Sequence, residues 1–325
     1  MTNTRITLMV FAIGVALWIG TETMLAPGNS SAQQQSESSL AAAIDERAAL
    51  VERKVITWRR DIHQHPELGN REFRTAKLVA DHLHSLGLEV QTGVAHTGVV
   101  ALLRGDQTGP VVALRADMDA LPVTEEVEVP FASKATATYD GSEVGVMHAC
   151  GHDAHTAILM GVAEILVAMK SQLPGSVKFI FQPAEEGPPA GEEGGAELMI
   201  GQGVLDNPKP DAIFALHVLA RLETGKIAYR PGPTMASADT LKILVRGQQA
   251  HGAMPWQGVD PIVVASQIIL ALQTIESRQV NNQSGGCRQC TGGRENHRIR
   301  GFLLLSTAHS WVLFLYRHYP SGDGC

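Results

Sequence analysis

Four short apolar runs constrain this chain more than any other feature, because each reads as a strand and three of them end in acids, glutamine or histidine. GVVALLRG (98–105) and PVVALRAD (110–117) are β-branched runs split by a turn of Gly, Asp and Pro. SVKFIFQ (176–182) is continuous and apolar, the pattern of a strand buried on both faces. DAIFALHV (211–218) is another such run. Helical patterns stand around them. LVERKVITWRRDIHQHPEL repeats Leu50, Val51, Val55, Ile56 and Ile62 near a 3.6 period, and EFRTAKLVADHLHSLG continues it to Gly87. A third helix over 154–170 puts Ile158, Leu159, Val162, Ile165, Leu166 and Met169 on one face. Strands alternating with helices predict an α/β sandwich with helices on both faces of a sheet.

The 325 residues, 44% hydrophobic, suffice for one large or two medium domains. The texture changes over Pro231–Ala236. Beyond it TLKILVRG (240–247) reads as a strand and 258–277 as a helix with Pro261 in its first turn, so a smaller second domain is expected to start at 236. The net charge of −7 and the absence of a basic run give no case for nucleic acid or anionic lipid as partner. At the N-terminus Arg5, the uncharged run Ile6–Gly20 and the small residues Ser30 and Ala32 predict a secretory signal over 1–32. A flexible leader over 33–43 should follow it, and the mature chain should be periplasmic or secreted with no stable membrane span. Cys150 is the one cysteine in the body of the chain, the others being Cys287, Cys290 and Cys325 near its end, so no disulfide framework is implied.

Chemistry concentrates at the strand ends. MHACGHDAHTA (147–157) places Cys150 and His152 one glycine apart ahead of a helix, where a thiolate and an imidazole can reach one metal. An ordinary helix start, with a buried cysteine, a capping Asp153 and surface histidines, explains the same stretch. FIFQPAEEG (179–187) runs from a buried strand into Glu185 and Glu186, which could divide metal binding and proton transfer or form a solvated acidic loop. His217 closes a strand and could be packed, capping or ligating, while RADMDALP (115–122) delivers Asp117 and Asp119. Several strand ends that each supply a metal-compatible side chain fit a site that activates water.

IHQHPELGNREFRTA, RADMDALPVTE, MHACGHDAHTA, FQPAEEG, LHV and HGAMPWQGVDPI, in this order, resemble the M20 metallopeptidase clan over residues 45–283. The resemblance is to its amidohydrolases of N-acyl amino acids, the hippurate and auxin-conjugate hydrolase group. It implies a zinc-peptidase-like α/β/α sandwich over 44–235 with an inserted α+β, ferredoxin-like dimerisation domain, and a homodimer. It also implies two divalent metal ions, zinc or manganese first, cobalt or nickel as alternatives. By motif, Cys150, His152, Glu186 and His217 match metal ligands, Glu185 the general base, His251 the histidine that stabilises the oxyanion, and Asp119 an aspartate that steers ligands. Asp117 stands where distant relatives carry a histidine ligand, and the roles of His148 and His155 stay open.

After about 283 the resemblance stops. SGGCRQCTGGRENHRIRG has no periodicity, and FLLLSTAHSWVLFLY is apolar and aromatic. The expectation is a frameshift or truncation there. Residues 284–325 then form an aberrant tail, the last histidine ligand is missing, and sheet edges are left uncovered. A small zinc site at Cys287, Cys290 and His297 is the lesser alternative. Function therefore divides between a metal-dependent amidohydrolase and an inactive fragment that at most binds ligand or dimerises, with an aminopeptidase of free peptides third.

Overall fold

A computed structural model describes residues 30–222, 227–228, 241–275 and 311–317; for 30–38, 227 and 311–317 it defines the backbone alone. The chain divides into two units, residues 1–231 with 299–325, and residues 232–298. Cys287, Cys290, His297, Cys325 and most of the expected signal segment lie outside the described residues.

The first unit is built on a mixed sheet. Its strands are β1 (Glu89–Val94), β2 (Gly98–Arg104), β3 (Gln107–Asp117), β6 (Pro174–Gln182), β7 (Ala212–Val218), β8 (Ile227–Ala228) and β9 (Trp311–Arg317), in the order β1-β2-β6-β3-β7-β9-β8. β4 (Thr136–Tyr139) and β5 (Ser142–Gly145) form a separate hairpin. The strands β6, β3 and β7 run parallel, so their carboxyl ends open on the same edge of the sheet. GVVALLRG and PVVALRAD follow each other in sequence but do not pair, because β6 lies between them.

Side chains alternate across the sheet with period two. Val99, Ala101 and Leu103 of β2, Val112, Leu114 and Ala116 of β3, Val177, Phe179 and Phe181 of β6, and Phe214 and Leu216 of β7 share one core. That core is closed by the helices α1 (Ser30–Gln64), α2 (Phe73–Ser85) and α3 (His152–Ala168). Val100, Ala113 and Ile180 point the other way, where Met199 of α4 (Gly195–Gly201) and Val204 cover them. The architecture is the expected α/β sandwich. Phe179 and Phe181 are fully buried, and each contributes about 2–3 kcal/mol of burial.

Three local expectations change. The segment 33–43, expected as a flexible leader, is helical, because α1 starts at Ser30. Alanine and leucine, strong helix formers, make up most of LAAAIDERAAL, and Ile44, Ala48, Val51 and Val55 bury one stripe that anchors the helix. Sheet edges are expected to be left uncovered, but that of β7 is covered along its length by β9, from Ala212 opposite Arg317 to Val218 opposite Trp311. WVLFLYR is rich in strand formers, and an open edge offers it unpaired peptide groups.

In the second unit TLKILVRG makes no strand over its described residues. Only Gln248 and Val259 form a bridge, and Leu241, Ile243 and Leu244 are exposed. An alternating run needs a hydrogen-bonding neighbour to become a strand, and none lies beside it among the described residues. The described part of this unit is a short 3-10 turn and the helix α5 (Pro261–Thr274), so no ferredoxin-like sheet is seen there. Asp260 caps α5 by accepting from the amides of Ile262 and Val263, with Pro261 as its first residue. No described helix is long and apolar enough to cross a membrane.

Candidate metal centre

The carboxyl ends of the parallel strands converge on the N-terminus of α3. β3 delivers Asp117 and, just beyond it, Asp119. β6 leads to Glu185 and Glu186, β7 carries His217, and the turn into α3 carries Cys150 and His152. Gly151 makes that turn with φ 88°, a left-handed conformation, and its α-carbon lies so near Val218 that a β-carbon would overlap the valine side chain. The turn bearing Cys150 and His152 thus lies directly against the strand end bearing His217.

The donor atoms cluster closely. Cys150 Sγ lies 3.3 Å from His217 Nε2, while His217 Nδ1 donates to the Val218 carbonyl and so leaves Nε2 aimed at the sulfur. His152 Nδ1 donates to Asp119 Oδ1 at 3.2 Å. Its Nε2 stands 3.7 Å from Glu185 Oε2 and 3.8 Å from both Glu186 Oε1 and Asp117 Oδ1. In the groups Cys150–His152–His217 and His152–Glu185–Glu186 the donor atoms all lie within 4.8 Å of one another. The other oxygen of Asp119 accepts from the Glu186 amide at 2.9 Å, so one aspartate orients both His152 and the glutamate loop.

A divalent cation fits these residues. His152 Nε2 is buried without a hydrogen-bond partner, and sulfur, imidazole and carboxylate together are a donor set that suits a transition metal. Asp117, His152 and His155 also come within 4.8 Å of one another, but His155 is already committed. Its Nε2 accepts from the Val218 amide at 2.9 Å, and its Nδ1 donates to Asp117 Oδ1 at 2.5 Å. Burial pushes the His155 imidazole down to about 4, so it is neutral and acts as a strut between β3 and β7.

The charges are arranged unequally. Burial opposes ionisation of Asp117, yet His152, Arg115 and His155 outweigh it and hold this carboxyl well below the ordinary carboxylate range. Burial likewise opposes a charge on His152, but the Asp117 charge and the bond to Asp119 outweigh it and raise its pKa well above the ordinary imidazole value, so cation binding there competes with protonation. Solvent reaches Glu185. The protein packed around its carboxyl and the Asp117 charge nonetheless raise its pKa, against the pull of Arg115.

The structure brings together Cys150, His152, Glu185, Glu186, His217 and Asp119, and adds Asp117. His251 lies in the second unit, exposed, with its Nδ1 accepting from the Ala253 amide at 3.1 Å. Asp153 is not the cap of α3. It bonds Arg59 Nε at 2.7 Å and His63 Nδ1 at 2.8 Å, while His63 Nε2 reaches Glu125 at 3.1 Å. Carboxylates only accept, so both nitrogens of His63 donate and the ring is an imidazolium. His148 stands behind this network, buried and held down to about 4 by burial, outside the donor groups. Arg115 was not singled out from the sequence. It donates to Asp117 at 2.6 Å and lies 3.9 Å from Glu185. Its position two residues before Asp117 on one strand, hence on the same face, was the available signal.

Comparison with known proteins places the chain in a family. The chain is 45% identical over 232 residues to thermostable carboxypeptidase 1 of Saccharolobus solfataricus, covering 71% of this chain and 56% of that protein. It is also 45% identical over 231 residues to an N-acyl-L-amino acid amidohydrolase of Geobacillus stearothermophilus, covering 71% and 59%. This chain therefore spans little more than half the length of these relatives. Its structure matches that of a Bacillus subtilis protein described as a dinuclear metal binding peptidase from the M20 family, with a TM-score of 0.55 and 33% identity, covering 84% of this chain and 66% of the other. The model of peptidase family M20/M25/M40 matches residues 113–306, a span that holds every donor of the cluster. With Cys150, His152, Glu185, Glu186 and His217 gathered at the strand ends inside that span, the chain belongs to peptidase family M20/M25/M40.

Proposed function

We propose that this chain is a metal-dependent amidohydrolase that cleaves the amide bond of N-acyl amino acids. The observation that carries the reading is that His152 belongs to two donor groups, one with Cys150 and His217 and one with Glu185 and Glu186, and that its buried Nε2 has no hydrogen-bond partner. Cys150, His152, Glu186 and His217 would hold the divalent ions, which supply Lewis acidity toward the carbonyl and an acidified water. Glu185 accepts the proton of the attacking water and returns it to the departing amine; burial and the Asp117 charge raise its pKa above the ordinary carboxylate value. Asp119 keeps His152 and the Glu186 backbone in register, and Arg115 balances the acids. His251 belongs to the same proposal as the donor to the developing oxyanion, on the strength of its HGAMP motif. Pairing with a second copy through the second unit and export to the periplasm or medium belong to it too, resting on the resemblance and on the apolar run Ile6–Gly20.

The test is turnover of a panel of N-acyl amino acids by the full chain loaded with zinc or manganese, alongside metal content by elemental mass spectrometry. The expected result is about two ions per chain and a loss of turnover of about 10²–10⁴-fold in Glu185→Gln with metal content unchanged. No turnover on any substrate, with less than one ion per chain, would overturn the proposal in favour of a ligand-binding fragment.

A further inference from the structure

The stretch HPELGNREF has no role in the chemistry above, yet it touches both loops that carry the acids. The Glu67 carbonyl accepts from the Ala120 amide at 2.8 Å, and Leu68 bridges to Ala120, immediately after Asp119. The buried Glu72 carboxyl accepts from the Ala184 amide at 2.8 Å through Oε1 and from Thr97 Oγ1 at 2.5 Å through Oε2. Ala184 directly precedes Glu185. It has φ 45°, a left-handed conformation unusual for a residue with a side chain, which persists only where its surroundings enforce it. Gly69 allows the close approach, since a β-carbon there would lie 2.7 Å from the Gly187 carbonyl and 3.1 Å from Ala184 Cβ. Farther along the same loop, Asn70 donates to the Glu193 carbonyl at 3.0 Å.

We propose that Glu72 is a positioning residue: its carboxyl holds the Ala184 peptide in the left-handed turn that directs Glu185 and Glu186 toward Cys150, His152 and His217. The proposal rests on the metal-centre reading above. Glu72 touches neither donor atoms nor substrate, and it acts through the backbone of residue 184. Removing the acceptor frees the turn, swings the glutamates away and weakens the hold on metal.

The experiment is a double-mutant cycle on zinc affinity, measured with the full chain by competition against a chelating dye. Glu72→Leu should weaken zinc binding at least about tenfold, the range seen for groups that orient ligands. Glu72→Gln, which keeps an oxygen for the Ala184 amide, should stay within about threefold of wild type. Glu186→Gln should also lose at least about tenfold, and the double variant Glu72→Leu/Glu186→Gln should be little worse than Glu186→Gln alone, because both changes remove one interaction. Additive losses, or unchanged affinity in Glu72→Leu, overturn the positioning role while leaving the metal centre intact. Unchanged affinity in Glu186→Gln overturns the metal-centre reading and the proposal with it. If Glu72→Leu gives no cooperative melt, Glu72→Asp takes its place: the side chain is one methylene short of Ala184, and wild-type affinity there overturns the proposal.

Discussion

Glu72→Gln should make the metal-free chain more stable at alkaline pH. Glu72 is fully buried, and burial pushes its carboxyl from an ordinary 4.5 up to about 7, with the bonds from Thr97 and Ala184 opposing and the Asp119 charge adding. The folded chain therefore holds this proton more tightly than the unfolded chain. The contribution of Glu72 to stability is fully present below pH 4.5 and is lost as pH rises through 7, where the buried carboxylate ionises. The difference between 4.5 and about 7 corresponds to about 3 kcal/mol. A glutamine has the same shape and no proton to lose. Its oxygen can accept from Ala184, and its amide can donate to the Thr97 hydroxyl. Urea unfolding with chelator present, followed by circular dichroism at pH 5, 6, 7 and 8, should show wild type and variant converging at the acid end. At pH 8 the variant should lead by about 3 kcal/mol, or roughly 6 to 12 °C in Tm for a unit of this size. A difference that does not change with pH, or a wild type that is the more stable at pH 8, would refute the reasoning.

Gly151→Ala forces a β-carbon onto Val218 in a left-handed residue, so it should cost at least about 2 kcal/mol in thermal unfolding and weaken zinc binding; wild-type values of both would refute the packing argument. Asp153→Asn leaves the His63 imidazolium and the Arg59 guanidinium without their shared carboxylate, and should cost about 3–5 kcal/mol by urea unfolding. A loss under about 1 kcal/mol would mean that the network contributes as a surface pair does.

Much of the fold and of the site is legible in the order of the amino acids. The apolar runs become β2, β3, β6 and β7, because β-branched runs bounded by turn residues bury well on both faces of a sheet. Cys150, His152, Glu185, Glu186 and His217 stand out because each closes a strand or opens a helix, where α/β sheets gather ligand sites. Glu72 does not. Nothing in GNREF distinguishes a buried carboxylate from a surface one, since its partners Thr97 and Ala184 lie 25 and 112 residues away. For the same reason Asp153 reads locally as a helix cap, whereas in the fold α1 brings Arg59 and His63 across to it.

The class of fold and the chemical types at the site follow from the order of residues, since hydrophobic period and local spacing are properties of neighbours in the chain. How those side chains are used depends on packing between distant parts of the chain. His155 is spent on Asp117 and the Val218 amide and is withdrawn from the ligand set, whereas His152 keeps a bare nitrogen. That choice depends on which partners stand within hydrogen-bond reach. The helix packing and strand order that put them there join residues far apart in sequence, and no local pattern encodes them.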